Sequence, residues 1–486
     1  MGIVLKQSFK NTVTIYAAFV IGGINALFLY TSFLEDDYYG LVTFLLSTAN
    51  ILMPLTAFGV QYTILKFFSS YKTKEEKDVF LSMALWLPLI IAVPFAVIGT
   101  VFYDAITTYL SLENPIVENY TFIIYLVAVA TGYFEIFYSW SKVQMQSVYG
   151  NILKEMFARI ASMILLFAVY FDFISVEEFI YYLTGAYFFR AFFMFQYAMK
   201  MYKVTFLLKL PENFNEIIKY SLYIILAGSA STILIDIDKF MIPQKEAIEN
   251  TAYYAVAVYI GSVVETPGRA MSQIMQPMIA KALNEKNMAE VKSLYKKSSI
   301  NLFLVSGLAF LLINANIEQM YLLLPSKYTG GVLVVLFISV AKLYHMLLGA
   351  NGAIITNSKY YKILLPYGIG MAVSVIVLNH FLINWMSING AALSTLIVVL
   401  VFNTIKLIYV KQKFNLSPFS NKTIVLFFVI VSAYFALVLW DFNFHPLINI
   451  FCKTVITLMV YLTLVYKLQI SMEVNNVLKK TLKYFN

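Results

Sequence analysis

Apolar runs of membrane-crossing length, separated by short polar segments, set the pattern of this chain. A helix that spans the hydrocarbon core needs about 20 apolar residues. Six runs fill the N-terminal part: Thr12–Leu34, Tyr38–Leu65, Val79–Tyr103, Tyr120–Ser141, Met156–Phe171 and Phe179–Met199. Four more follow at Ile217–Asp238, Ala252–Ala280, Ser298–Ile317 and Tyr328–Ser358. Residues Ile363 to Ile405 carry no charge over 43 positions, too many for one crossing. Polar and turn-forming residues gather at Asn384–Asn389, which predicts two spans split there. Thr423–Trp440 and Pro446–Tyr466 complete a predicted set of fourteen, followed by the basic, polar tail Lys467–Asn486. Thr12–Leu34 is too long and too poorly flanked for a cleavable signal, so it reads as a span.

An even number of spans puts both termini on one side, and lysine placement says which. Alternate loops hold 28 of the 35 basic residues, among them Lys66, Lys72, Lys74 and Lys77 after the second run. The opposite loops hold only Lys239, Lys245, Lys327 and Lys453. The positive-inside rule then predicts cytoplasmic termini. Composition points the same way: 60 % hydrophobic and 13 % charged, against about 25 % charged in soluble domains. The net charge of +9 thus reports topology and does not point to nucleic acid. The basic residues are 32 Lys and 3 Arg. Cys452 is the single cysteine, and His345, His380 and His445 are scattered, so the sequence predicts neither a disulfide framework nor a metal site. The connections, about 15–20 residues at most, are shorter than a domain. The helices themselves must carry the function.

Among the charges within predicted spans, seven are candidates that need an explanation: Glu135, Arg190, Asp236, Asp238, Glu265, Arg269 and Lys342. Each costs roughly 2.5–3.5 kcal/mol at the bilayer centre, so each should meet a partner or a cavity. Arg190 lies mid-span, either paired with Glu135 or contacting an anion. Glu265 and Arg269 share a helix face at i, i+4 and flank Pro267-Gly268, a bend signal. They either neutralise each other or line a cavity. Lys342 lies in the tenth run beside His345. Asp236, Asp238 and Lys239 close the seventh run near the outer interface, where Asp and Lys are either solvated or paired. If Arg190, Arg269 and Lys342 face one lumen, that lumen is cationic and suits a phosphate or pyrophosphate. Pro54, Gly59 and Pro267, with Pro88 and Pro94, mark candidate hinges. A loose internal echo links Gly22-Gly23, Tyr38-Tyr39 and Pro54 to Gly228, Tyr253-Tyr254 and Pro267.

Several segments resemble the polysaccharide and O-antigen flippases (Wzx-type polysaccharide transporters) of the multidrug/oligosaccharidyl-lipid/polysaccharide exporter superfamily. They are Lys6-Gln-Ser-Phe-Lys-Asn leading to Asp37-Tyr-Tyr-Gly-Leu-Val42, Pro54-Leu-Thr-Ala-Phe-Gly-Val60 with Lys66-Phe, Ile235-Asp-Ile-Asp-Lys-Phe-Met-Ile242 with Tyr253-Tyr254, and Ile388-Asn-Gly-Ala-Ala392. The resemblance implies an all-α polytopic fold of about fourteen transmembrane helices. Two six-helix bundles would surround a central cavity, as lobes 1–210 and 211–415. Residues 416–486 would carry helices 13 and 14 and the cytoplasmic tail.

The implied function is translocation of an undecaprenyl-pyrophosphate-linked oligosaccharide, a polysaccharide repeat unit, across a bacterial inner membrane by alternating access. Arg190, Arg269 and Lys342 would hold the anionic headgroup. Glu135, Glu265 and Asp238 would serve coupling or charge balance. No cofactor is expected beyond a coupling proton or sodium ion. The expected partners are the lipid-linked oligosaccharide, membrane lipid and other polysaccharide assembly proteins, with no nucleic acid; the chain is expected to act as a monomer. A cation-coupled drug or metabolite antiporter of the same superfamily is the alternative transporter reading. A membrane glycan polymerase or ligase is the enzymatic alternative. It fits less well, since the predicted outer loops contain no Arg.

Overall fold

A computed structural model of the protein describes residues 2–438, 440–442 and 444–476. Among them no strand occurs. In chain order the helices are α1 (Gly2–Ile24), α2 (Tyr30–Phe33), α3 (Asp36–Thr56), α4 (Val60–Phe67), α5 (Lys74–Val101), α6 (Tyr103–Ser111) and α7 (Thr121–Val143). They continue with α8 (Val148–Ile152), α9 (Ala158–Tyr170), α10 (Val176–Met201), α11 (Phe214–Met241), α12 (Glu249–Ser262) and α13 (Thr266–Asn284). The remainder are α14 (Met288–Asn314), α15 (Ile317–Tyr321), α16 (Val332–Leu347), α17 (Asn351–Thr356), α18 (Leu364–Phe414), α19 (Asn421–Val438) and α20 (Pro446–Lys467). Every predicted run overlaps one or more of these helices. Lys479, Lys480 and Lys483 of the predicted basic tail lie outside the described residues.

Nine helical segments among the described residues are long and apolar enough to cross a membrane, or ten with the bent pair Phe214–Ala230 and Thr232–Met241. One of the nine, Tyr361–Phe414, is 54 residues long, about 80 Å at 1.5 Å per residue. Ser387 breaks it with φ 54° and ψ −138°, inside the predicted Asn384–Asn389 split. Elsewhere the apolar runs are interrupted. A π turn at Leu153–Phe157 leaves α9 only 13 residues. A 3-10 turn at Val263–Glu265 separates α12 from α13. The second run is broken between α3 and α4, where Gly59 adopts φ +64°. A Cβ there would stand 2.8 Å from the Ile224 side chain, so both conformation and space call for glycine.

By packing, the chain divides into two compact units. The first is Met1–Ala255 with Gly368–Ser387. Its centre is α7, which packs on α3, α4 and α10. Small residues allow close approach there: a Cβ on Gly132 would lie 3.2 Å from that of Ala57, and the Thr56 hydroxyl donates to the Ala128 carbonyl at 3.2 Å. Phe134, Ile136 and Trp140 of α7 are fully enclosed. A second π turn, Asn25–Leu29, turns the buried Asn25 amide onto the Arg159 carbonyl at 2.7 Å. Capping boxes start two helices, Thr73 with Glu76 for α5 and Ser175 with Glu178 for α10.

The second unit is Val256–Tyr367 with Ile388–Asn486. Here α14 packs on α13, α16, α19 and α20. Val291, Tyr295, Ile354 and Val410 are fully buried in its core. Gly349, at φ +54°, makes the turn between α16 and α17, where a Cβ would lie 2.5 Å from the Ser299 nitrogen. Lys453 of α20 is buried and bonds to the Ala315 carbonyl at 3.2 Å and to Asp441 at 3.2 Å.

Candidate functional site

The intramembrane charges fall in both units and are treated separately. In the first unit Arg190, on α10, is buried. Its Nη2 donates to the Thr131 hydroxyl of α7 at 3.3 Å. The guanidinium carbon lies 4.5 Å from the Phe134 ring centre and 4.6 Å from that of Tyr187. The two rings stabilise a planar cation and exclude water. Nε is buried without a hydrogen-bond partner, and among the described residues no carboxylate lies within ion-pair distance. Of the two sequence readings for Arg190, pairing with Glu135 does not occur. Glu135, 55 positions earlier, binds Lys154 at 2.7 Å instead.

The same unit holds Asp236 and Asp238, both buried. Asp236 pairs with Lys239 at 3.0 Å and accepts from Asn50 at 3.3 Å. Asp238 accepts from the Tyr254 hydroxyl and, at 2.7 Å, from the Asn379 amide. Of the two sequence readings for this group, solvated or paired, Asp236 and Lys239 form the pair within α11; the Asn50, Tyr254 and Asn379 partners come from other helices and no sequence spacing indicates them. Asn379 was nevertheless detectable as an amide within the uncharged 43-residue run. Lys154 lies between the fourth and fifth apolar runs, where the charge pattern reads as a loop cation and gives no sign of the Glu135 pair.

In the second unit the 3-10 turn and Pro267 set Glu265 at the start of α13. Its carboxylate pairs with Lys342 of α16, not with Arg269. The intrahelical pairing weighed from the i, i+4 spacing is therefore not formed. A Cβ on Gly268 would stand 2.4 Å from the Met346 sulfur, so this glycine lets α13 approach α16 closely. Glu265 and Arg269 border a 330 Å³ cavity with Ser272, Gln276, Ser298 and His345. Arg269 is exposed there, and among the described residues no carboxylate pairs with it. Ser298 donates to the Tyr295 carbonyl at 3.0 Å and accepts from the Ala350 amide at 3.0 Å. The cavity thus offers one uncommitted guanidinium, one carboxylate already compensated by Lys342 behind it, and several hydroxyl or amide groups. That set carries one net positive charge when empty and can receive an anion and hydrogen-bonding groups.

The hinge candidates sit at real discontinuities. Pro54 lies in the last turn of α3, Gly59 begins α4 in the left-handed region, and Pro267 opens α13.

Comparison with known proteins sharpens what these features belong to. The sequence matches the family described as "Polysaccharide biosynthesis protein" over residues 4–282, more than half its length. The chain belongs to that family. No curated protein matches its sequence. In fold it is similar to the lipid II flippase MurJ in an inward closed conformation, with a TM-score of 0.68, 16 % identity, and 95 % of this chain and 99 % of that one covered. A multidrug resistance MATE family transporter of the MOP superfamily, inward-facing, aligns with a TM-score of 0.58 and 13 % identity, covering 85 % and 95 %. A MOP superfamily transporter from Pyrococcus furiosus aligns at 0.56 and 13 % identity, with 85 % and 95 % covered. The all-helical membrane fold expected from the sequence is therefore the fold of this superfamily.

Proposed function

We propose that the protein is a flippase that moves an undecaprenyl-pyrophosphate-linked oligosaccharide between the leaflets of a bacterial inner membrane. One observation carries the reading: a member of a polysaccharide biosynthesis family has the fold of a lipid flippase. The chemistry is consistent with it. Arg190 and Arg269 lack carboxylate partners among the described residues; Arg269 on its cavity wall is open to a pyrophosphate or an acidic sugar, and Arg190 would meet one once its ring seal opens. Lys342, paired with Glu265, would join them when that pair opens. Glu135 and Asp238 would balance charge or take part in coupling to a proton or sodium ion.

In this reading fourteen spans place both termini in the cytoplasm. Lobes 1–210 and 211–415 alternate access around the substrate, and residues 416–486 are appended. The protein works as a monomer, with polysaccharide assembly proteins as neighbours. MATE-like neighbours favour one competitor, a drug or metabolite antiporter. The deciding experiment reconstitutes the purified protein in proteoliposomes holding a fluorescent undecaprenyl-pyrophosphate glycan, with dithionite-type quenching of the outer leaflet. Flipping of the glycan lipid is expected. Drug efflux without flipping would replace the flippase reading by the antiporter.

A further inference from the structure

Within the first unit, the second half of α5 leaves the bundle. Leu87, Pro88 and Ala92 are buried, but no residue from Val93 to Val101 is. Pro88 and Pro94 interrupt the helix ladder over this stretch. Two tyrosines of α7 staple α5 just before it departs. Tyr133 donates to the Leu85 carbonyl at 3.1 Å and Tyr125 to the Ala92 carbonyl at 2.6 Å. Beyond Ala92, among the described residues, no hydrogen bond joins α5 to α3 or α7.

The departure opens a recess of 560 Å³, within the roughly 300–1,000 Å³ of ligand pockets. Its walls include Ile51 and Leu55 of α3, Phe95 and Ile98 of α5, Ile106 of α6 and Phe122 of α7. Three threonines also line it, and none asks for a polar occupant. Thr48 donates to the Phe44 carbonyl at 2.7 Å, Thr100 to Ala96 at 2.8 Å and Thr121 to Val117 at 3.0 Å. Tyr125 has spent its hydroxyl on Ala92. Apart from the Tyr103 hydroxyl, what faces the recess is hydrocarbon. One hydroxyl is fewer than the about two to four polar partners a water needs, and an empty gap would forfeit the dispersion contacts of every wall. The recess lies at the end of α5 remote from the lysine-rich loop 72–78 and opens past exposed apolar residues of α5, so a chain can enter from the bilayer.

We infer that this recess between α3, α5, α6 and α7 holds the single polyprenyl tail of the lipid-linked substrate. The inference rests on the flippase reading. A glycerophospholipid carries two chains on one headgroup, whereas a polyprenyl carrier brings one to this single wedge. Its tail stays in hydrocarbon while the headgroup crosses. Gly99 lines the recess, and a Cβ there meets no atom within 4 Å. A large side chain at that position therefore fills the recess without displacing protein.

The test uses the full-length protein in nanodiscs with a benzophenone-bearing polyprenyl pyrophosphate, followed by peptide mapping. Photolabel is expected on 95–106 and 121–126, suppressed by unlabelled polyprenyl phosphate and not by excess phosphatidylglycerol. Gly99→Trp should lower that label at least about fivefold, and Ile106→Trp should do the same from the opposite wall. Val97→Trp, on the exposed face and outside the recess, should leave it unchanged. Label elsewhere, equal suppression by phospholipid, or full labelling in both filled variants would overturn the inference. The flipping assay separates the two claims. Wild-type flipping with labelling that ignores both Gly99→Trp and Ile106→Trp defeats only the tail site, while absent wild-type flipping defeats the function itself.

Discussion

Arg190 and Arg269 are the two arginines placed deep in predicted spans, and the units treat them in opposite ways. Arg190 is sealed between Phe134 and Tyr187 with one hydroxyl contact and an unsatisfied Nε. Arg269 stands on a cavity wall beside an ion pair that is already neutral. The first site retains a costly charge without the partner that would reduce the cost. The second keeps its charge solvated and its neighbours compensated. A dry, unpaired guanidinium gains more from an arriving anion, because the low dielectric strengthens the contact. A wet one gains less but is reached more easily. The difference predicts a strong, desolvated contact in one unit and an adaptable one in the other.

The largest effect should come from Arg190→Met, which keeps the bulk and removes the charge. Replacing a buried, poorly compensated charge by a hydrophobic group is often neutral or stabilising. The variant also loses ring contacts worth about 2 kcal/mol when desolvated. The melting temperature should therefore stay close to that of the parent. Flipping should fall by tenfold or more, the equivalent of about 1.4 kcal/mol in transition-state stabilisation. Wild-type flipping by a stable Arg190→Met protein would make Arg190 a packing residue and remove one side of the comparison.

The Glu265–Lys342 pair should produce a middle-sized effect, read in stability. Its side chains keep 21 % and 32 % of their exposure, so the pair lies between surface and buried behaviour. Removing one partner should cost about 1–3 kcal/mol, and Glu265→Gln with Lys342→Met together should cost less than the sum. A double-mutant cycle on thermal unfolding in detergent measures this coupling. A coupling near zero would mean that solvent screens the pair completely. Arg269→Ala should change stability by no more than about 0.5 kcal/mol, since among the described residues the side chain has no ion-pair or hydrogen-bond partner to lose. It should still weaken binding of a soluble pyrophosphate, followed by calorimetry.

How much of this was legible beforehand depends on the range of the interaction. The spans, the Asn384–Asn389 split and the Gly59 and Pro267 breaks are local, and apolar run length with turn residues displayed them. The identity of the seven candidate charges was also readable, because they stand out in apolar runs. Of their partners only Lys239, three residues from Asp236, was within reach of a spacing rule. Glu135 finds Lys154 and Glu265 finds Lys342 through helix packing, and no spacing rule along one helix reports that. The i, i+4 spacing of Glu265 and Arg269 even pointed the wrong way, since the 3-10 turn at Val263–Glu265 alters the face that Glu265 presents. The α5 recess was half visible in Pro88 and Pro94. That the helix departs, and that Thr48, Thr100 and Thr121 turn their hydroxyls to carbonyls of preceding residues, depends on packing that run length does not encode.

The smallest effect belongs to the periphery of the first unit and tests whether its interior and surface respond separately. Glu76 accepts from the Lys72 amide at 2.8 Å and from the Thr73 amide at 3.2 Å. Those two amides hold its carboxyl below the ordinary glutamate value of 4.5. A carboxylate with a depressed folded-state value stabilises fully above its ordinary value and loses that contribution as pH falls through the depressed one. The capping box should therefore hold at pH 6 and loosen below about 4.5, with faster amide exchange in the first turn of α5. Glu76→Ala should reproduce the faster exchange at pH 6 and abolish its acid dependence. Arg190 keeps its proton throughout this range, so its own environment should not change. If exchange around Thr131 and Phe134 rose together with that at Glu76, the cap and the buried guanidinium would be parts of one cooperative element, and the contrast between a fixed interior and an adjustable surface would fail.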